Sequence, residues 1–129
     1  MSTPGQKVVV ITGASQGIGA ALVNAYRKLG YAVVATSRTI TPSSDPYVLT
    51  IRGDIADPAT ADRVAAAAVE RFGRIDSLIN NAGIFIAKPF TDYTQEDYDV
   101  ITGVNLAGFF RITQLAVNHM LDQGGGHVV

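Results

Sequence analysis

Residues 8–19 read VVVITGASQGIG, and this stretch decides the fold. The β-branched run at 8–11 has no polar alternation, which predicts a parallel strand covered on both faces. Gly13, Gly17 and Gly19 follow at once. Where a strand passes into a helix, backbone N–H groups and the helix dipole attract anions, and glycines let a pyrophosphate approach the main chain. The stretch predicts a nucleotide site, although glycines needed only to pack a tight turn would give the same pattern.

The composition indicates a single domain of ordinary size. The chain has 129 residues, 47% of them apolar, which is ample for a hydrophobic core. Ten basic and eleven acidic residues leave a formal charge of −1, so we expect neither nucleic acid nor an anionic membrane as the main partner. The absence of cysteine excludes disulfides and thiolate metal sites. Because the amino terminus is polar and we expect no run of membrane-spanning length, we predict a cytoplasmic protein.

The first half of the chain alternates strand and helix patterns. After the glycine turn, a helical stripe extends to a glycine stop at Gly30. Strands are predicted over 31–36 and 47–51, and the loop at 39–46 is so short that it is expected to cross without a helix. The apolar stripe of the first helix comprises Ile18, Ala21, Leu22, Ala25 and Leu29.

The second half continues this alternation. A helix spans 57–73, with an Asp-Pro start and a glycine stop, and a fourth strand spans 76–80. Thr94 and Asp97 form a capping box ahead of a helical region that reaches about residue 123, with a break expected at Gly103. A fifth strand follows. One side of the last helical region carries Tyr98, Ile101, Asn105, Phe109, Ile112, Ala116 and Met120.

This alternation predicts an α/β protein with a doubly wound parallel sheet, a Rossmann fold, in strand order 3-2-1-4-5. The phosphate site would lie at the first strand-to-helix turn. No linker or repeat divides the chain, so residues 1–129 are expected to form one dinucleotide-binding domain. Because the sequence stops just inside the fifth strand, we expect this domain to be incomplete at its carboxyl end.

Four motifs together carry a family resemblance. They are TGASQGIG at 12–19, Asp54 at the close of the third strand, NNAG at 80–83, and Asn105 on the long helix. In this order and spacing they resemble the classical short-chain dehydrogenase/reductase family, over essentially all of the chain. The resemblance implies an NAD(P)-dependent oxidoreductase that transfers a hydride between nicotinamide and a small carbonyl or alcohol substrate.

The resemblance also implies which residues hold the cofactor. The glycine turn would line the pyrophosphate, Asp54 and Ile55 would contact adenine, and residues 81–83 would border the adenosine ribose and the central sheet. Asn105 is implied as catalytic, opening its helix locally and holding a water in the proton relay. The full cofactor set is Gly13, Ser15, Gln16, Gly17, Ile18, Gly19, Ser37, Arg38, Asp54, Ile55, Asn81, Ala82 and Gly83.

Structural alternatives stand beside these roles. Asp54 could cap a turn, and Asn80 and Asn81 could stabilise one through side-chain hydrogen bonds. Asn105 is an amide in a mostly apolar stripe, where burial would require partners, and the alternative is an ordinary polar residue on a partly exposed helix. The two histidines are interpreted as neither catalytic nor metal-binding, because no second ligand stands at a metal-binding spacing.

The end of the second strand decides the choice of cofactor in this fold. An acidic residue there binds the ribose 2′-hydroxyl and repels a 2′-phosphate, whereas arginine favours the phosphate. Here the sequence at 36–39 is TSRT, with Ser37 and Arg38 and no carboxylate. We therefore predict NADP, with NAD as the alternative because Gln16 stands where many NADP-preferring relatives have a second basic residue.

The family chemistry requires a serine and a tyrosine–lysine pair downstream of the fifth strand. No tyrosine precedes a lysine by four residues in this chain. We therefore expect the intact protein to be an enzyme and these 129 residues alone to be inactive; the alternative is a non-catalytic nucleotide-binding relative acting as a sensor or scaffold. Related enzymes pair through the long helix, which implies a homodimer or homotetramer, with Tyr98, Phe109 and Phe110 as core or subunit contacts.

Overall fold

The computed structural model describes residues 5–129, so most of the polar amino terminus lies outside the described residues. Five parallel strands form one sheet in the order β3-β2-β1-β4-β5, which confirms the predicted topology. Val8 of β1 pairs with Ala32 of β2, and Leu78 of β4 pairs with Val128 of β5. The strands are β1 (Val8–Thr12), β2 (Ala32–Ser37), β3 (Val48–Arg52), β4 (Ser77–Ile79) and β5 (His127–Val128).

Four α-helices accompany the sheet in the described part of the chain. No helix lies between β2 and β3, so the short crossover is as predicted. Between α3 and α4 the helix continues through a segment with π-helical turns, Gly103–Gly108, hereafter the π segment. The helices are α1 (Gly17–Lys28), α2 (Pro58–Phe72), α3 (Gln95–Thr102) and α4 (Phe109–Gln123), with a 3₁₀ turn at Phe90–Asp92.

The core lies on both faces of the sheet. Residues 8–11 of β1 are completely buried, as the unbroken apolar run predicts. Val8 and Val10 face α2 and α4, whereas Val9 and Ile11 face α1. Burying one such side chain contributes about 1.5–3 kcal/mol relative to exposure. The central strand therefore fixes where the turn after it emerges.

The helix boundaries follow the predicted capping residues. Asp57 accepts a hydrogen bond from the Ala59 N–H at 3.0 Å, and α2 ends at Gly73 with φ of +83°. At α3, Thr94 and Asp97 bond each other's backbone N–H groups, which is a complete capping box. Asp57 and Thr94 thus begin their helices and Gly73 ends α2, and each N-cap stabilises its helix by about 1 kcal/mol.

Two predicted apolar stripes are wrong in part. In α1, Ile18 and Leu29 are each 72% exposed and Ala21 and Ala25 are also exposed, so Leu22 alone of the predicted stripe packs toward the sheet. In the long helix, Tyr98 is 62% exposed and Phe109 is 43% exposed. At Gly103 the regular α-helix gives way to the π segment, although the chain stays helical with a φ of −60° there. A π turn inserts an extra residue per turn, so one 3.6-residue stripe cannot run through α3 and α4.

The helical stretch Gln95–Gln123 also corrects the expectation about membrane-spanning length. It has 29 residues and a mean hydropathy of 1.4 in its most apolar window, enough by length and composition to cross a membrane. Core helices of soluble proteins meet the same test. Here Ile112, Ala116 and Met120 of α4 are buried in the core beside α2, which accounts for part of the hydropathy.

Candidate functional site

A cleft of about 560 Å³ opens at the carboxyl ends of the strands. This is the edge at which open α/β sheets bind ligands. All but one of the residues predicted to hold a cofactor line it; Gly19 instead lies beneath the turn and is buried. The cleft is lined by Thr12, Gly13, Ser15, Gln16, Gly17, Ile18, Thr36, Ser37, Arg38, Thr39, Gly53, Asp54, Ile55, Asn81, Ala82, Gly83, Ile84 and Val104.

The three glycines of the turn serve different purposes. A Cβ on Gly19 would lie 2.0 Å from the carbonyl oxygen of Gly13, and one on Gly13 would lie 2.9 Å from Cα of Ala82. These two glycines are required for packing. Gly17 has a φ of +57° and nothing within 4 Å of its Cβ position. Its main chain is therefore open to the cleft.

The amino terminus of α1 has no side-chain cap. Gln16 occupies the N-cap position without a side-chain hydrogen bond, and no acidic residue stands in the first turn. In α2 and α3, by contrast, Asp57 and Thr94 cap the first turn. The uncapped N–H groups and the helix dipole at this terminus suit a pyrophosphate.

Thr12 ties the end of β4 to the glycine turn. Its buried Oγ1 accepts hydrogen bonds from the N–H groups of Asn81 at 3.1 Å and Ala82 at 2.9 Å. The Asn81 side chain donates from Nδ2 to the Gly13 carbonyl oxygen at 3.1 Å. Asn80 donates to Oγ1 of Thr113 on α4 at 3.0 Å. Both asparagines thus have the scaffolding bonds of the structural alternative, and Asn81 also borders the cleft.

The end of β2 brings a cation to the cleft. Arg38 is exposed, and no carboxylate within residues 5–129 forms an ion pair with it. Oγ of Ser37 accepts from the Thr39 N–H at 3.2 Å, and Oγ1 of Thr39 lies 3.5 Å from Oγ of Ser15. Hydroxyls from two elements therefore line the same cleft as the Arg38 guanidinium, which is available to an anion.

Asp54 does not close the third strand, which ends at Arg52. It lies in the following turn, where Oδ1 accepts from the Ala56 N–H at 2.9 Å. This Asx turn satisfies the turn-capping alternative, and the residue also lines the cleft. Ile55 is 8% exposed and packs in the core below.

Asn105 is exposed, as the alternative of a polar residue on a partly exposed helix expects. Its side chain is nevertheless fully used: Oδ1 accepts from the Ile84 N–H at 2.9 Å, and Nδ2 donates to the Ile84 carbonyl oxygen at 3.0 Å. The residue lies in the π segment, where the helix is locally opened. It also lines a separate cavity of about 100 Å³, together with Thr12 and Asn80.

Several residues that line the cleft are not among the predicted cofactor-binding residues. Thr39 follows Arg38 directly, and its position after an exposed basic residue at a strand end was an available signal. Gly53 precedes Asp54, and a Cβ there would lie 2.6 Å from the Thr60 side chain. Ile84 and Val104 carried no sequence signal, because their places depend on the Asn105 contact and on the π segment. No group of three potential metal ligands occurs within residues 5–129.

Comparisons with known proteins agree with this architecture. An uncharacterized oxidoreductase of Methylorubrum extorquens is 36% identical over 92% of this chain and 52% of its own. A short-chain dehydrogenase structure from Streptomyces avermitilis has a TM-score of 0.89 and 30% identity over 98% of this chain and 48% of its own. A structure of ElxO with NADPH bound has a TM-score of 0.87 and 27% identity over 95% of this chain and 54% of its own.

The chain spans about half the length of the curated relatives it matches, 52% for the Methylorubrum protein. The family profile described as short chain dehydrogenase matches residues 7–129. The match thus includes the glycine turn, the cleft and the π segment. The chain belongs to the short-chain dehydrogenase/reductase family.

Proposed function

We propose that the protein is an NADP-dependent oxidoreductase acting on a small carbonyl or alcohol substrate. The observation that carries this proposal is one cleft bordered by the uncapped terminus of α1, an open glycine at Gly17, and the exposed Arg38. When bound, the cofactor supplies the hydride chemistry, and the protein supplies binding, orientation and proton transfer. A binding role alone accounts for the cleft but not for the oxidoreductases among the relatives.

The cleft residues divide into three contact groups in this proposal. The N–H groups around Gly17 and Ile18 would bind the pyrophosphate, with Gly13 and Gly19 holding the turn in shape. Asp54 and Ile55 would border adenine, since both line the cleft below β3. Residues 81–83 would contact the adenosine ribose and the central sheet, held in place by Thr12.

Arg38 supports NADP over NAD. A guanidinium forms charge-assisted bonds with a phosphate, and no carboxylate stands at this strand end to bind a free ribose 2′-hydroxyl. The hydroxyls of Ser15 and Ser37 lie near the same end of the cleft and could donate to the same phosphate. Gln16 adds an amide but no charge, so Arg38 would provide the main discrimination.

Asn105 is proposed to act in proton transfer through water. The cavity that it lines has about 100 Å³, which is room for ordered water, and its wall includes polar groups of Thr12 and Asn80. Because the Asn105 side chain is bonded at both ends to Ile84, its main chain is held in a fixed place. A held water beside the cleft would relay a proton to or from the substrate oxygen.

The exposed apolar side chains of the long helix support self-association. Tyr98, Leu106 and Phe110 are each more than 60% exposed, in a helical region of which Ile112, Ala116 and Met120 pack on the core. Burial of these side chains in a second copy would remove them from water, so we propose a homodimer or homotetramer in the cytoplasm.

Residues 1–129 would form the cofactor-binding domain, and we expect them alone not to catalyse, because they contain no tyrosine–lysine pair.

The proposal is tested by titrating the protein with NADPH and with NADH and following nicotinamide fluorescence. We expect tighter binding of NADPH. Arg38→Ala should weaken the binding free energy of NADPH by roughly 1.5–3 kcal/mol, the range for a hydrogen bond to a charged group. The affinity for NADH should stay within about twofold of the wild-type value. Arg74→Ala, whose guanidinium is paired with Asp76 at 2.6 Å and lies outside the cleft, is the matched control and should change neither affinity. Equal or tighter binding of NADH by the wild-type protein would refute the cofactor choice.

A further inference from the structure

The connection between β2 and β3 crosses an open groove. Residues 39–46, hereafter the strap, contain no helix. Beneath the strap lies a groove of about 570 Å³, bounded by Ala20 and Val23 of α1, Ala35 of β2 and Val48 of β3. In a doubly wound sheet a crossover helix would normally cover this area. The strap therefore has little packing beneath it, and its position depends on a few anchors.

Side-chain contacts anchor the strap at both ends, and at the far end Nη2 of Arg71 on α2 donates to the Pro46 carbonyl oxygen at 2.9 Å. Near its start, Ile40 is 8% exposed and packs with the core cluster on the α1 face of the sheet. Near its end, Asp45 accepts a hydrogen bond from Nε of Arg27 on α1 at 2.8 Å. Arg27 also donates from Nη1 to the Tyr31 carbonyl oxygen at 2.8 Å, and its guanidinium lies 5.1 Å from the ring centre of Tyr47. One arginine thus joins α1, the start of β2 and the end of the strap.

Asp45 is well placed to receive this contact. Its second oxygen accepts from the Tyr47 N–H at 2.9 Å, and its own N–H donates to Oγ of Ser43 at 3.1 Å. The Arg27 hydrogen bond, followed by the Tyr47 N–H, holds the pKa of the Asp45 carboxyl below its ordinary value. The carboxylate is therefore charged at neutral pH, and the Arg27 contact is an ion pair.

The start of the strap belongs to the cofactor cleft. Arg38 and Thr39 line the cleft, and Thr39 also lines the groove together with Ser15 and Gln16. The two spaces are therefore adjacent. Between Asp45 and Thr39 the strap packs on the core at Ile40, so movement of the far end would reach Thr39 and the Arg38 guanidinium by shifting that contact.

We propose that Arg27 is a positioning residue for cofactor selectivity, which holds the strap through Asp45 so that Arg38 stays aimed at the cleft. This inference rests on the proposed preference for NADP. Arg27 is not among the residues that line the cleft, so its effect would pass through the strap. NADPH, which alone has the 2′-phosphate, would depend on Arg27 more than NADH.

The test measures the dissociation constants of NADPH and NADH for Arg27→Leu, Arg27→Lys and Asp45→Asn. We expect Arg27→Leu and Asp45→Asn to raise the dissociation constant of NADPH by about fivefold, which is the upper end for the loss of a part-exposed ion pair. The dissociation constant of NADH should rise by less than about twofold. Arg27→Lys keeps a cation near Asp45 and should retain most of the selectivity. Asp62→Asn breaks the Arg111–Asp62 pair of the same length, 2.8 Å, outside the cleft, and should leave both constants unchanged.

Amide hydrogen exchange over residues 39–46 gives a second readout. In the wild-type protein NADP⁺ should slow exchange in the strap, and in Arg27→Leu this protection should be reduced. If Arg38→Ala abolishes selectivity while Arg27→Leu and Asp45→Asn leave it intact, this inference alone is overturned. The same holds if Arg27→Leu weakens both cofactors equally. A wild-type preference for NADH would overturn both this inference and the proposed cofactor. Should Arg27→Leu fail to fold, Asp45→Asn decides the matter.

Discussion

The Thr12 hydroxyl connects the end of β1 to the cleft residues Asn81 and Ala82 by hydrogen bonds. Thr12→Val removes this hydroxyl and keeps a side chain of nearly the same shape. Thr12 is 2% exposed, and its oxygen accepts from two backbone N–H groups, those of Asn81 and Ala82. Valine would leave the Ala82 N–H without its described partner, whereas the Asn81 N–H keeps a hydrogen bond to the Ile79 carbonyl oxygen at 3.0 Å. At about 1–3 kcal/mol for an unsatisfied buried donor, the substitution should lower the free energy of unfolding by about 2 kcal/mol.

Thr36→Val on the neighbouring strand is the matched control. Thr36 is 1% exposed, but its hydroxyl makes one described bond, donating to the Ile51 carbonyl oxygen at 2.7 Å on the edge strand. Water can reach this part-exposed strand, so we expect Thr36→Val to lower the free energy of unfolding by only about 1 kcal/mol. Urea unfolding of both variants, followed by circular dichroism, measures the difference. Thr12→Val should also weaken NADPH binding, because residues 81–83 lose their anchor. A loss for Thr12→Val no larger than that for Thr36→Val would refute this reasoning.

Two further predictions follow from local geometry. Gly19→Ala places a Cβ 2.0 Å from the Gly13 carbonyl oxygen, so the turn must move; we expect a loss of at least about 1–3 kcal/mol in urea unfolding together with loss of NADPH binding, and wild-type affinity in this variant would contradict the packing argument. The hydrogen bond from Lys88, followed by the Thr94 N–H, lowers the pKa of Asp97 in the folded protein, so its stabilising effect is present above the unfolded pKa of about 4 and is lost as the pH falls through the lower folded pKa. The thermal midpoint of Asp97→Asn should therefore vary less with pH below about pH 4 than that of the wild-type protein, and parallel curves would count against this role.

The sheet could be predicted from the sequence because its signals are local and strong. A short β-branched apolar run without alternation, followed at once by a glycine turn, favours a covered strand over a buried helix. The Asp57 and Thr94 caps and the Gly73 stop are likewise short-range, since each needs only neighbouring backbone groups. The order of the strands then follows from the handedness and length of the crossovers.

The helix faces could not be predicted as well, because a stripe assumes a constant 3.6-residue period. The π segment breaks this period, so the side that is buried at Ile112 and Met120 is not the side that Tyr98 occupies. The contact of Asn105 could not be predicted either. Its partner is the Ile84 backbone, 21 residues away in a loop, and no spacing in the sequence indicates that contact.

The buried side of α1 was also predicted wrongly in part, and the π segment is not the reason there. Ile18 lies at the first turn of α1, where the helix borders the open cleft, so a large apolar residue there is 72% exposed. Leu29 follows the last turn and is equally exposed. Ala21 and Ala25 in the middle of α1 are exposed as well, so the side that contacts the sheet is the one with Leu22, Val23 and Tyr26.

The central claim is that the cleft at the ends of β1 and β2 binds a nicotinamide dinucleotide. The most direct measurement is the change in backbone amide chemical shifts when NADP⁺ is added to the isotopically labelled protein. The account predicts that the largest changes fall at residues 13–19, 37–39, 54–55 and 81–83, with small changes at the far end of α2 near Gly73. Absence of change at the glycine turn, or changes concentrated away from these four segments, would contradict it.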